Sequence, residues 1–209
     1  MKKLISAILV FLMMSQLAVT CLAAEKQYTI SDAHYILNED WVATGVHNGP
    51  DAPSGWDAHT MAGKIKTGWG TFYMEDTNKY LGIDMSRKFE KVSGKQDLTL
   101  SFRFSFETFM NNVRFQLKNG DSVIYSVETR HGGVYLVANN AEYALAEAVE
   151  PNVNYGVKVV LNQVTNRITA FFNAEIPVRD LAISGDASVD NMYIDTGVVV
   201  TGKILIPHL

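Results

Sequence analysis

The chain is poor in cysteine, in basic charge and in long apolar runs, and each shortage excludes something. Cys21 is the one cysteine among 209 residues, and it lies in the N-terminal apolar stretch. Beyond it there is no thiol for a disulfide, a cysteine metal site or thiol catalysis. The apolar run from Leu4 to Val19 is shorter than the roughly 20 residues a helix needs to cross a bilayer. Lys and Arg number 18 against 22 Asp and Glu, net −4, without the basic stripe that marks a nucleic-acid binder. There is no low-complexity tract, internal repeat or catalytic signature. His34, His47, His59, His131 and His208 show no zinc-binding spacing.

The first residues have a definite pattern. Lys2-Lys3, a short apolar middle and Leu22-Ala23-Ala24 before a polar segment read as a secretory signal peptide over 1–24. Cys21 then leaves with it, because Ala18-Val19-Thr20 is a poor lipoprotein lead-in. Cleavage also removes Lys2 and Lys3, leaving 16 basic against 22 acidic side chains, net −6. The expected product is a secreted single domain over 25–209, without a membrane span and resting on its core alone.

The rest reads as short strands. Tyr155, Val157, Val159 and Leu161 take alternate positions, Gln163 to Asn166 is polar, and Ile168, Ala170 and Phe172 alternate again. A period of two gives each strand one buried face, so this is a hairpin. Leu98 to Phe106 is the clearest strand, with Leu100, Phe102, Phe104 and Phe106 inward and Thr99, Ser101, Arg103 and Ser105 outward. Val113, Phe115 and Leu117 alternate with Arg114 and Gln116, and Asn119-Gly120 turns the chain into 122–129. Strands are also expected over 28–37, 62–74, 80–83, 134–137, 141–149 and, around Gly197, 190–206. Residues 86–94 read as polar chain, 176–183 as irregular, and 38–57 as a long loop with Trp41 and Trp56. About a dozen strands without helical periods make an all-β antiparallel sandwich, or jelly roll.

Four features resemble the concanavalin A-like lectin/glucanase superfamily, in particular the laminin-G-like jelly-roll modules of secreted bacterial proteins. They are the entry Asn48-Gly49-Pro50-Asp51-Ala52-Pro53-Ser54-Gly55-Trp56, the strand Asp97 to Glu107, the hairpin at 155–173, and Val189-Asp190-Asn191-Met192-Tyr193-Ile194-Asp195. The resemblance implies two stacked sheets, one of which often binds or cleaves glycans. Fold alone licenses no function.

Within that frame Arg103, Arg114 and Gln116 alternate with core residues on successive strands and are expected to share one outward face, suited to an acidic sugar. Arg130, His131 and Tyr135 join them as ligand-binding candidates, with Trp41 and Trp69 as sugar-stacking aromatics, ahead of Trp56. No cofactor is required. A structural calcium ion would find oxygen ligands at Asp32, Asp190, Asn191 and Asp195, although Asp-Asn also makes a good turn. The laminarinase-type Glu-x-Asp-x-x-Glu run is absent, which argues against a hydrolase. The Gln-Ile/Val-His signature of alginate-lyase-like proteins is absent too, although Arg, His, Tyr and Lys are available for lyase chemistry. The expectation is a non-catalytic binder of extracellular glycans. A polysaccharide lyase and an adhesive envelope or biofilm protein with protein partners are the alternatives.

Overall fold

The computed structural model describes residues 56–59, 63–68, 71–78, 80–197 and 201–208. These form fourteen strands and no helix. In chain order they are β1 (Asp57–His59), β2 (Gly63–Gly68), β3 (Thr71–Asp76), β4 (Asp84–Val92), β5 (Leu98–Phe106), β6 (Arg114–Asn119) and β7 (Ser122–Arg130). Then follow β8 (Gly133–Ala138), β9 (Ala141–Ala146), β10 (Tyr155–Asn162), β11 (Arg167–Phe172), β12 (Glu175–Ala182), β13 (Val189–Asp195) and β14 (Gly202–His208). Two seven-stranded antiparallel sheets result, with orders β1-β4-β13-β6-β7-β8-β9 and β12-β11-β10-β5-β14-β3-β2.

The alternation in the sequence sets the faces. Val157, Val159 and Leu161 of β10 stand opposite Phe172, Ala170 and Ile168 of β11 and Phe102, Leu100 and Leu98 of β5. Turning side chains of one character to one side of a pleated sheet produces a continuous apolar face, the main source of folding free energy. The polar turn after β10 is closed by Asn162, whose Oδ1 accepts from the N–H groups of Val164 and Thr165. Across the core, the rings of Phe102 on β5 and Phe115 on β6 stack with centroids 4.1 Å apart. Trp56 is fully buried in the same core.

Three expectations fail. Residues 84–92 form a nine-residue strand, β4, hydrogen-bonded to β1 and β13. It looked polar because few of its side chains enter the core, Met85 being the one fully buried. Tyr80 to Ile83 is a turn leading into β4. Residues 175–182 form the edge strand β12, irregular only in its register shifts against β11. Pro177, which cannot donate to a ladder, is tolerated there because an edge strand has one unpaired side. The strand expected over 141–149 is β9, ending at Ala146.

At one end of the sandwich a buried polar clasp joins the two sheets. Thr196, just past β13, donates its hydroxyl to Asp76 Oδ2 on β3 at 2.7 Å and accepts the Ile83 N–H at 2.9 Å. The other Asp76 oxygen accepts the Asn78 N–H. The clasp fixes where β4 begins and β13 ends, and those two ends carry the next features.

Candidate functional site

Five strands of the first sheet bring polar residues into one row across its outer face. The registers are Asp84 opposite Asp195, Asp195 opposite Arg114, Arg114 opposite Glu128, and Glu128 opposite Tyr135. At about 4.8 Å per strand the row runs roughly 19 Å from β4 to β8. Each member alternates with a core residue: Asp195 with Ile194, Arg114 with Phe115, Glu128 with Val127, and Tyr135 with Val134 and Leu136. Outward direction therefore follows from the inward burial of its neighbours.

The row is cross-linked. Arg114 donates Nε and Nη2 to Asp195 Oδ1 and Oδ2 at 2.7 and 2.8 Å, a two-pronged match of planar groups. Arg130 donates Nε and Nη2 to Glu128 Oε2 at 2.8 and 2.5 Å and reaches Glu142 on β9 with Nη1. The Ser126 hydroxyl donates to the other Glu128 oxygen. Asp195 and Glu128 face outward yet are only 4% and 5% exposed, because their partners cover them. Burial pushes the Asp195 carboxyl above the ordinary carboxylate range, the Arg114 hydrogen bonds and charge pull it back, and the nearby Asp84 charge adds to the rise. The Asp195 hydrogen bond raises Arg114 in turn. A second row behind the first contains Ser86, Tyr193, Gln116 and Ser126. Burial, then the charges of Asp84 and Asp195, push the Tyr193 hydroxyl up to about 12.

The rim above the row is formed by the turn at His131 and Gly132. His131 adopts a left-handed backbone (φ 53°) and is exposed, and its ring stands edge-on to Tyr135 with centroids 6.4 Å apart. Arg114, Gln116, Arg130, His131 and Tyr135 thus lie on one sheet or its rim. Arg103 does not. It lies on β5 of the other sheet, and since Phe102 and Phe115 stack across the core, their neighbours Arg103 and Arg114 point to opposite sides of the molecule. The shared face of Arg103, Arg114 and Gln116 is therefore corrected. Trp41 and Trp69 lie outside the described residues.

Among the described residues, the calcium candidates Asp190, Asn191 and Asp195 do not gather at one point. Asp32 lies outside the described residues, and no group of three or more His, Cys, Asp or Glu able to hold a metal ion gathers among those described. Asp190 accepts the Gly120 N–H at one end of β13, and Asp195 is taken by Arg114 at the other. Asn191 lies between Lys88 and Lys118 in register, a setting that repels a cation.

Asp84, Ser126, Glu128, Glu142 and Tyr193 were not singled out from the sequence. Their signal, a polar residue between two core residues, is common to every half-buried strand. Two shallow grooves lie elsewhere, on the seam between the edges β9 and β12. One is lined by Tyr143, Pro177 and Leu181, the other by Leu145, Phe172 and Glu175. Neither gathers polar groups as the outer face does.

No protein-family model and no curated protein sequence matches the chain. Solved structures do. A sialidase superimposes with a TM-score of 0.61 at 11% identity over 73% of this chain, which spans 16% of that protein. A carbohydrate esterase from the Shiga toxin-encoding bacteriophage phi24B gives 0.52 at 11% identity, covering 74% of this chain and 88% of that one. The Trypanosoma rangeli sialidase in complex with 2,3-difluorosialic acid gives 0.51 at 8% identity, over 73% of this chain and 26% of its own. The fold is an antiparallel jelly-roll β-sandwich. At such identities the likeness is one of architecture, and the activities in those names belong to those proteins. In this β-sandwich, the cross-linked face of the first sheet is the candidate site.

Proposed function

We propose that the chain is a secreted, non-catalytic glycan-binding module that uses the outer face of β4, β13, β6, β7 and β8. The observation that carries the reading is the row Asp84, Asp195, Arg114, Glu128 and Tyr135. Its Asp195 and Glu128 carboxylates are held by Arg114 and Arg130 before any ligand arrives, so binding orders few side chains. Sugars are recognised by planar polar groups that match hydroxyls and by ring faces that pack on the pyranose, and Tyr135 with His131 supplies the second kind. The signal-like segment 1–24 supports secretion, with an N-terminus at Ala24 or Glu25 as the expected product.

The same geometry weakens the lyase alternative. A lyase needs a guanidinium left over to neutralise a uronate, and both Arg114 and Arg130 are committed to carboxylates here. The deciding experiment is a glycan array with the secreted protein, followed by Tyr135→Ala and His131→Ala. Binding weakened about tenfold or more by Tyr135→Ala, with the melting curve retained, is the expected result. A silent array removes the proposal. New ultraviolet-absorbing double bonds on incubation with polyuronates would turn it into a lyase.

A further inference from the structure

We infer that the same outer face contains an anion-reading subsite, formed by Lys88, Asn191 and Lys118 at the end remote from Tyr135, which takes the carboxylate of an acidic sugar. The inference rests on the reading of this face as a glycan platform and names the class of sugar it selects. The three residues lie side by side on β4, β13 and β6, with Asn191 opposite Lys88 on one side and Lys118 on the other. All three face outward, since Asn191 alternates with the buried Met192 and Lys118 with the buried Leu117.

Two observations point to a ligand. The first is Asn191. It is 7% exposed, and its side-chain oxygen is buried with no hydrogen-bond partner among the described residues. A buried acceptor left without a donor is costly, and native structures seldom keep one unless something supplies the donor. The second is the pair of lysines. Neither makes an ion pair among the described residues, and Lys118 instead holds its ammonium 5.1 Å above the Tyr193 ring. The two lysines are rooted two strand spacings, about 10 Å, apart along the sheet, with the orphaned amide between them.

The acids at this end do not neutralise the pair. Asp186 is engaged by Lys91, Asn119 and Ser188, and Asp190 by the Gly120 N–H. Glu90, two residues along β4, is exposed and bridges to neither lysine. The exposed Val123, opposite Lys118, adds an apolar edge against which a sugar ring can rest. An acidic sugar fits this inventory: its carboxylate lies between the ammonium groups and a hydroxyl donates to Asn191 Oδ1. Acid selection thus passes from the committed guanidiniums of Arg114 and Arg130 to two lysines that make no ion pair among the described residues.

The test compares a polyuronate oligosaccharide with its carboxyl-reduced, neutral counterpart by titration calorimetry, at low and at physiological salt. The wild-type protein should bind the acidic chain roughly tenfold more tightly, the worth of one charge-assisted hydrogen bond. Lys88→Met with Lys118→Met should abolish that preference while leaving affinity for the neutral chain within about twofold, a change worth little free energy. Asn191→Leu should weaken both chains. Binding of the neutral chain with no acidic preference, or a preference that survives the double substitution, overturns the subsite and leaves the platform standing. Binding of neither chain, with none on a broad array, overturns both.

Discussion

Arg114 and Asp195, 81 residues apart in sequence, meet at 2.7 and 2.8 Å through two parallel hydrogen bonds on adjacent strands. The pair unites the central strands of the first sheet, β13 and β6, and occupies the middle of the polar row. Asp195 is almost wholly covered, whereas the Arg114 side chain is 40% exposed. Removing the guanidinium leaves a carboxylate in a covered site. Arg114→Ala should therefore cost about 2–3 kcal/mol, below the full range for a buried pair because of that exposure. Urea unfolding measures it, and a loss under about 0.5 kcal/mol, typical of surface changes, would show that the pair is ornamental.

Tyr193 gives a pH signature. Its folded pKa, about 12, lies above the ordinary value of 10.0. A group raised on folding binds its proton more tightly in the native state. Its stabilisation is complete below pH 10 and is lost as pH rises towards 12. The melting temperature of the wild-type protein should fall across that window, and Tyr193→Phe should make the fall shallower. Parallel curves for the two proteins would refute the assignment.

Tyr125 should behave in the opposite way from a structural hydroxyl. It is fully buried on the inner side of β7, its hydroxyl has no partner among the described residues, and burial pushes its pKa far up. Replacing an unsatisfied buried donor by an apolar isostere relieves a desolvation cost. Tyr125→Phe is expected to stabilise the protein by about 1 kcal/mol, read from the denaturant midpoint at constant slope. A loss of similar size would mean that the hydroxyl has a partner.

Gly82 tests the clasped end of the sandwich. A Cβ there would stand 2.3 Å from the Gly197 carbonyl oxygen, a backbone atom that cannot step aside as a side-chain tip could. Gly82→Ala should cost about 2 kcal/mol or more and disturb the start of β4, where Asp84 joins the row. An unchanged melting curve would show that the two turns are not held together.

Arg103 separates the two faces. It is exposed on the second sheet, away from the row. Arg103→Ala should leave both stability, within about 0.5 kcal/mol, and glycan affinity unchanged. A large loss of affinity would move the site to the other side of the sandwich.

The sequence by itself determined the strands and their faces. A period of two is a local property, so the hairpin of β10 and β11, the inward phenylalanines of β5 and the turn at Asn119-Gly120 were legible without partners. Alternation also picked out Arg114 and Gln116 as polar positions beside core ones. It could not say which strands are neighbours. β5 and β6 are consecutive in the chain but belong to different sheets, so Arg103 and Arg114, alike in pattern, face opposite ways. Nor could it show β4, whose mostly polar side chains hide a strand held by backbone pairing to β1 and β13. The row from Asp84 to Tyr135 and the Lys88–Asn191–Lys118 triplet exist only through long-range register. Hydrogen bonds between strands remote in sequence set that register, and they form only when the whole core packs.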